Sequence, residues 1–444
     1  MLLGGVLASL VAVAIMLMTP QIRSRLLTLK GRGITSSRAL DYSSSSSKIP
    51  IIDIGVLRDP SSTLESRRAV AKKIGEACEE IGFIVIHNHG VDSEAMDAAW
   101  EVTRDFFDLP LADKMGFNSE LLMTEEFPYG YSPYGSEKLS KGQVDVDGEA
   151  IDPNVGSNDP EVVAAKDAAE ASKVEEEEGA AAKGDMKEMF SIGPYLPEAM
   201  MPLPRYPTAA LPSMAASWRR YFEEMELLSG DLMRGFALAL DLNETWFEAK
   251  VSRHASSLRA LNYPSTVAVA GNESSGTAAA AAAAAAAVAP AAAGQMRASP
   301  HTDYGVLSIL RSGGSGLQVK LRDGEWHDVP MLPGAYVINL GDLMSRWTND
   351  KWRSTPHRVL AASSSSRGDT GASGGAAVGG NRRQSMAYFC NLNMDADVEV
   401  IPTCVSELNP AKYPPTKAGD HLMAKHSAST RGILDDSWML EIAK

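Results

Sequence analysis

The chain has 444 residues, 44% hydrophobic and 22% charged, enough for two average domains or one large one with insertions around a sizeable core. Its net charge of −14 is concentrated, because residues 145–178 hold twelve acidic residues against two lysines, and no basic stripe marks a nucleic-acid partner. The three cysteines, Cys78, Cys390 and Cys404, form no C-x-x-C pair and, being odd in number, supply no disulfide framework.

In chain order, the first element is MLLGGVLASLVAVAIMLM, uncharged from residue 2 to residue 18 and followed by Arg23, Arg25, Lys30 and Arg32. As a helix it rises about 26 Å at ~1.5 Å per residue, near the shortest length that spans a bilayer. The basic residues after it predict single-pass membrane anchoring with the main body facing the cytoplasm. The alternative is a targeting segment of a soluble, organelle-directed protein. A Ser-rich tether completes residues 1–48.

Folded sequence begins in an N-terminal region, 49–212. KIPIIDIGVL reads as a short strand ended by Gly55, and residues 64–81 as a helix with Leu64, Ile74, Ala77, Cys78 and Ile81 on its apolar face. GFIVIHNHG reads as a buried strand. SEAMDAAWEVTRDFFDLP reads as a helix capped by Ser93 and stopped by Pro110. Residues 141–185, acidic and Ala-rich, are expected to be a disordered insertion.

Residues 213–252 read as a supporting helix. Residues 253–402 then supply short strands, SSLRALNYP, HTDYGVLSIL, GLQVKLRDGEWHDVP, GAYVINLGD, STPHRVLAA and RQSMAYFCNL, divided by Gly, Pro and Asp turns. That pattern predicts an antiparallel sandwich or barrel, and hence a mixed α+β fold. Two low-complexity insertions interrupt it, the Ala-rich 271–294 and the Ser/Gly-rich 361–381, and such loops cost entropy only logarithmically in their length. Residues 403–444 form a C-terminal segment.

HTDYGVLSIL carries the first chemistry. On a strand, His301 and Asp303 point the same way. His357 in STPHRVL supplies a third ligand. Two neutral imidazoles and a carboxylate fill one face of an octahedral Fe(II) and leave three positions open, whereas zinc hydrolases keep one. Arg383 and Ser385 in RQSMAYF share a strand face. An arginine fork plus a serine hydroxyl suits the distal carboxylate of 2-oxoglutarate, with Tyr263 of LNYP as a further donor. Other candidates read as structural: His87 and His89 lack a carboxylate partner, His421 and His426 lack an H-E-x-x-H pattern and are expected at the surface, and Asp342 is expected to cap the helix after NLGD.

In their order, IPIIDIG, GFIVIHNHGV, FFDLPLADK, GYSPYG, LNYP, HTDYGVLSIL, VINLGDLMSRWTND, STPHRV and RQSMAYF resemble the isopenicillin-N-synthase-like family of Fe(II)/2-oxoglutarate-dependent dioxygenases across most of residues 49–430. The resemblance implies a double-stranded β-helix (jelly-roll) core with a helical N-terminal region. It implies Fe(II) on His301, Asp303 and His357, and 2-oxoglutarate on Arg383, Ser385 and Tyr263, with O₂ as the second cosubstrate. It also implies a small-molecule substrate, hydroxylated or desaturated as succinate and CO₂ are released. Phe389 is expected to face the substrate cavity, and Tyr131 to close it from the other side. One departure concerns spacing: Arg383 follows His357 by 26 positions, more than in the family, and the 361–381 insertion accounts for the excess. Two readings compete, an isopenicillin-N-synthase-type oxidase that uses no 2-oxoglutarate, and a catalytically silent membrane-tethered binding protein.

Overall fold

Apolar alternation opens the fold with Ile51–Asp53 (β1), which runs parallel to Phe83–His87 (β2). Between them lie Gly55–Arg58 (α1) and Leu64–Glu80 (α2), the latter started by the Thr63 hydroxyl accepting from the Ser66 N–H. Ser93–Asp108 (α3) follows, and its cap lies one residue earlier than expected: the Asp92 carboxylate accepts from the Glu94 N–H, so Ser93 is already helical. Pro110 ends this stretch and leads into Leu111–Met115 (α4). Two short strands, Gly130–Ser132 (β3) and Glu188–Ile192 (β4), precede the long helix Met214–Ala239 (α5).

The strand-rich half comprises Ser257–Tyr263 (β5), Ala298–His301 (β6), Leu307–Ser312 (β7), Leu317–Lys320 (β8), Trp326–Asp328 (β9) and Tyr336–Leu340 (β10). Asp342–Trp347 (α6), His357–Val359 (β11), Arg383–Cys390 (β12), Asp397–Val398 (β13), Thr416–Lys417 (β14) and Ala418–Thr430 (α7) complete it. This computed structural model describes residues 47–118, 129–137, 139, 185–195, 204–264, 296–360 and 382–430.

Eight strands form one sheet in the order β1-β2-β10-β7-β12-β5-β4-β3, and four form a second in the order β6-β11-β8-β9. These are the two walls of the jelly roll. Strand alternation gives each wall two characters. Phe83, Val85 and Val337 of the large sheet pack on Leu317, Val319 and Val359 of the small one. The intervening Ile84, Ile86 and Ile338, with Met386 and Tyr388, face the helices, above all Trp218, Phe222, Leu228 and Leu232 of α5. Each fully buried side chain of that size contributes roughly 1.5–3 kcal/mol relative to exposure. Because β1 to β4 hydrogen-bond into the large sheet, the described strands of the N-terminal region belong to the same body as the later strands.

The apolar segment 2–18, residues 141–184, and the insertions 271–294 and 361–381 lie outside the described residues. Asp185, expected to close the acidic insertion, is instead buried and begins the ordered approach to β4. No helix among the described residues is long and apolar enough to cross a membrane.

Candidate active site

HTDYGVLSIL is not one strand. His301 ends β6 in the small sheet, β7 begins at Leu307 in the large sheet, and Asp303 sits on the turn between them. The chain's crossing between walls, rather than strand alternation, brings this pair together. His357 lies directly opposite His301 in the β6–β11 register, with ring centroids 4.2 Å apart. Asp303 Oδ1 is 3.9 Å from His301 Nε2 and 3.8 Å from His357 Nε2. One ligand atom from each of the three residues falls within 4.8 Å of the others.

The surroundings prepare all three for a cation. His301 Nδ1 lies 2.7 Å from the Ser299 carbonyl and His357 Nδ1 3.2 Å from the Thr355 carbonyl. Each Nδ1–H therefore donates to the backbone, which leaves the Nε2 lone pairs pointing inward. Phe83 meets the His357 ring edge-on at 5.3 Å. Burial and the neighbouring His357 push the His301 pKa down, so its imidazole is neutral at pH 7. Burial alone would raise the Asp303 carboxyl. The two imidazoles and hydrogen bonds from Ser308 and Asn339 outweigh it and hold the group ionised. The Ser308 hydroxyl and the Asn339 amide (2.7 Å) both donate to Asp303 Oδ2, so Oδ1 is the free oxygen. Two neutral imidazoles and one ionised carboxylate converging on one point are the donor set that suits a divalent ion such as Fe(II).

The second group assembles on adjoining strands. Arg383 pairs with Tyr263 in the β12–β5 register, and its guanidinium carbon lies 5.0 Å from the Tyr263 ring centroid. Its Nη2 donates to Ser312 Oγ at 2.7 Å, its Nε to the Gly314 carbonyl at 3.3 Å, and its Nη1 to Ser385 Oγ at 3.4 Å. Alternation along β12 puts Arg383, Ser385 and Phe389 on the site-facing side, while Met386 and Tyr388 pack into the helical core. Phe389 thus shares the face of Arg383 and Ser385, with the Arg259 guanidinium 5.7 Å from its ring centroid.

Tyr131 does not point where it was expected. It pairs with Phe190 and shares that residue's helix-facing side. Its hydroxyl donates to Glu188 Oε2 at 2.6 Å, and its ring packs edge-on to Phe106. Tyr131 therefore seals the helical core instead of closing the cavity. His421 and His426 also depart from expectation. His421 is buried with Nε2 3.1 Å from the Tyr304 carbonyl, and the His426 ring stands edge-on to the Tyr304 ring at 5.5 Å. Asp342 caps nothing with its side chain, which lies 2.9 Å from Lys425 Nζ. His89 is structural, as expected: it is buried, with Nε2 2.7 Å from the Gly334 carbonyl.

Sequence reading also missed a buried ionic cluster behind His301. Asp185 Oδ1 accepts from Ser299 N–H (3.1 Å) and from its hydroxyl, and Ser299 in turn holds His301. Lys187, almost fully buried, lies 2.8 Å from Glu137 Oε2 and 3.4 Å from Asp185 Oδ2, and Arg259 reaches Glu137 Oε1 at 3.3 Å. The alternation in DMKEMFSIG was the available signal, masked by its position at the end of the acidic stretch. Burial pushes the Glu137 carboxyl up, but Lys187 and Arg259 outweigh it and bring the pKa to about 2. A carboxyl with a depressed folded pKa stabilises the fold above its ordinary value of 4.5, and that contribution drains away as pH falls towards 2. Glu137→Gln is expected to flatten the fall in melting temperature across this window. Parallel profiles for the wild type and the variant would refute the assignment.

Comparison with known proteins places this geometry. Residues 49–162 match the family described as non-haem dioxygenase in morphine synthesis N-terminal, and residues 287–392 match the 2OG-Fe(II) oxygenase superfamily. The chain is 29% identical over 393 residues to the 2-oxoglutarate-Fe(II) type oxidoreductase ppzC of Metarhizium rileyi, covering 84% of this chain and 85% of that one. It is 28% identical over 387 residues to homoarginine-6-hydroxylase 2-ODD-233 of Oryza sativa subsp. japonica, covering 85% and 96%. A full-length Neurospora crassa protein in complex with alpha-KG and thymine superposes with a TM-score of 0.62 at 26% identity, covering 86% of this chain and 96% of that one. The second family match spans His301, Asp303, His357, Arg383 and Ser385, and on these grounds the chain belongs to the Fe(II)/2-oxoglutarate-dependent dioxygenases, in the isopenicillin-N-synthase-like superfamily.

Proposed function

We propose that this oxidoreductase hydroxylates a small organic substrate at the site between the two sheets. The observation that carries the reading is the convergence of His301, Asp303 and His357 on one point. Bound Fe(II) and 2-oxoglutarate supply the oxidising chemistry, with 2-oxoglutarate and O₂ becoming succinate and CO₂ as the substrate is oxidised.

The chain's own residues bind, orient and exclude water. His301 and His357 offer Nε2 and Asp303 offers Oδ1, a one-sided set that leaves room for a chelating cosubstrate. Arg383, Ser385 and Tyr263 hold the distal carboxylate of that cosubstrate at the far end of β12. Phe389, on the same face of β12, and Arg259, paired with Glu137 and Ser191, border the space where the substrate enters. The related proteins are named for different substrates, homoarginine in one case and thymine as a bound ligand in another, so the reading for this chain stops at a small organic molecule.

The test uses purified protein with Fe(II) and 2-oxoglutarate, first without oxygen and then with it, against a panel of small metabolites. The expected results are a weak visible charge-transfer band before oxygen and substrate-dependent succinate afterwards, with one atom of ¹⁸O₂ in the product. Oxidation without succinate would favour the 2-oxoglutarate-independent oxidase. Metal binding with no 2-oxoglutarate turnover on any substrate would favour the silent binding protein. A product two hydrogens lighter would replace hydroxylation by desaturation.

A further inference from the structure

The turn that carries Asp303 is gripped from behind by two helices. The Asp342 N–H donates to the Asp303 carbonyl at 2.7 Å, and the Leu343 N–H reaches the Gly305 carbonyl at 3.2 Å. Gly341 makes this approach possible, since a Cβ there would sit 2.3 Å from the Gly305 carbonyl oxygen. The C-terminal helix α7 lies against the same turn. His421 Nε2 is 3.1 Å from the Tyr304 carbonyl, the His426 ring packs on Tyr304, and the Gly419 N–H anchors the helix start on the Met394 carbonyl at 2.9 Å.

One interaction ties the two helices together. Lys425 is 1% exposed, and its Nζ lies 2.9 Å from Asp342 Oδ2 on a carboxylate that is itself largely buried. Two buried charges of this kind are tolerated when paired, whereas either one alone is strongly unfavourable. The pair therefore has a low energy only while α7 is seated.

We propose that Lys425 is a positioning residue: its ion pair with Asp342 locks α7 onto the Asp303–Gly305 turn, so that the C-terminal helix holds a metal ligand in place. The coupling runs from Lys425 to the Asp342 side chain, through the Asp342 backbone N–H to the Asp303 carbonyl, and so to the ligand itself. The inference rests on the metal-site reading above.

The test compares the full-length wild type with Lys425→Met, Asp342→Asn, the double variant and Lys425→Arg. Co(II) affinity is measured by visible absorption, and hydrogen exchange is followed over residues 418–430. Each neutralising single variant should weaken Co(II) binding about tenfold, the scale of outer-shell partners, and speed exchange in α7 while β2 and β10 stay protected. The double variant should lose less than the two singles combined, because no buried charge is left unpaired, and Lys425→Arg should keep most of the affinity. If Lys425→Met does not fold, His421→Ala cuts the other link to the turn and should give the same local exchange and weaker Co(II) binding. Unchanged Co(II) affinity in folded single variants overturns the proposal, as does faster exchange spread over the whole fold. Failure of the wild type itself to bind Co(II) rejects the metal-site reading instead.

Discussion

Replacing His357 with alanine is expected to abolish succinate formation and to weaken Fe(II) binding by at least about 100-fold, beyond the 10–100-fold scale of outer-shell changes. The histidine sits on β11, between β6 and β8 in the small sheet, so the backbone ladder survives the substitution. What disappears is one of three inward-pointing donors and an edge-on contact with Phe83. The protein should therefore keep its circular dichroism spectrum while losing its metal. Asn339→Ala gives the graded comparison. It removes one of two donors to Asp303 Oδ2 and frees that carboxylate to rotate, for an expected loss of about tenfold in Fe(II) affinity. Isothermal titration of the apoprotein with Fe(II) under argon measures both. A His357→Ala protein that binds Fe(II) as tightly as the wild type would move the metal elsewhere.

The ligands were legible in the sequence because metal chemistry restricts residue type: two imidazoles, one carboxylate and an Arg-x-Ser pair are few enough to recognise from spacing. How the chain delivers them was not. H-T-D fits strand alternation, and nothing local reveals that the chain leaves the small sheet at His301 and joins the large one at Leu307. Tyr131 lies on a three-residue strand, too short for a period to show which way it faces. β4 was hidden by the acidic stretch before it. The C-terminal helix misled for another reason. His421 and Lys425 are polar residues in a polar-looking segment, and their burial depends on the Tyr304 carbonyl and the Asp342 carboxylate far upstream. Local pattern reports a face. It cannot report a distant charge that makes burying a lysine tolerable.

Arg383→Gln should raise the KM for 2-oxoglutarate by 30-fold or more, with a smaller effect on kcat. Arg383 is buried, and burial lowers its pKa against the opposing influence of Tyr263, yet a guanidinium stays charged throughout the working pH range. Its described partners are hydroxyls and a carbonyl, and no carboxylate of the described residues lies within ion-pair distance. A buried cation held only by neutral groups is set up for an anion from outside. When the distal carboxylate of 2-oxoglutarate takes that place, removing the fork leaves the carboxylate buried and unpaired, at a cost of roughly 2–5 kcal/mol. Tenfold in affinity corresponds to about 1.4 kcal/mol, which sets the lower bound on the KM change. Arg383→Lys keeps the charge and loses the planar fork, so its KM should fall between the two. Ser385→Ala removes a single neutral donor worth about 1 kcal/mol, and its KM should rise only a few-fold. The discriminating measurement is cosubstrate preference: Arg383→Gln should narrow the gap between 2-oxoglutarate and 2-oxo acids without a distal carboxylate, because the lost interaction is one that only 2-oxoglutarate makes. If all three variants keep the wild-type KM and preference, the distal carboxylate is bound by other residues, and the Arg383 guanidinium serves only to join β12 to the loop at Ser312 and Gly314.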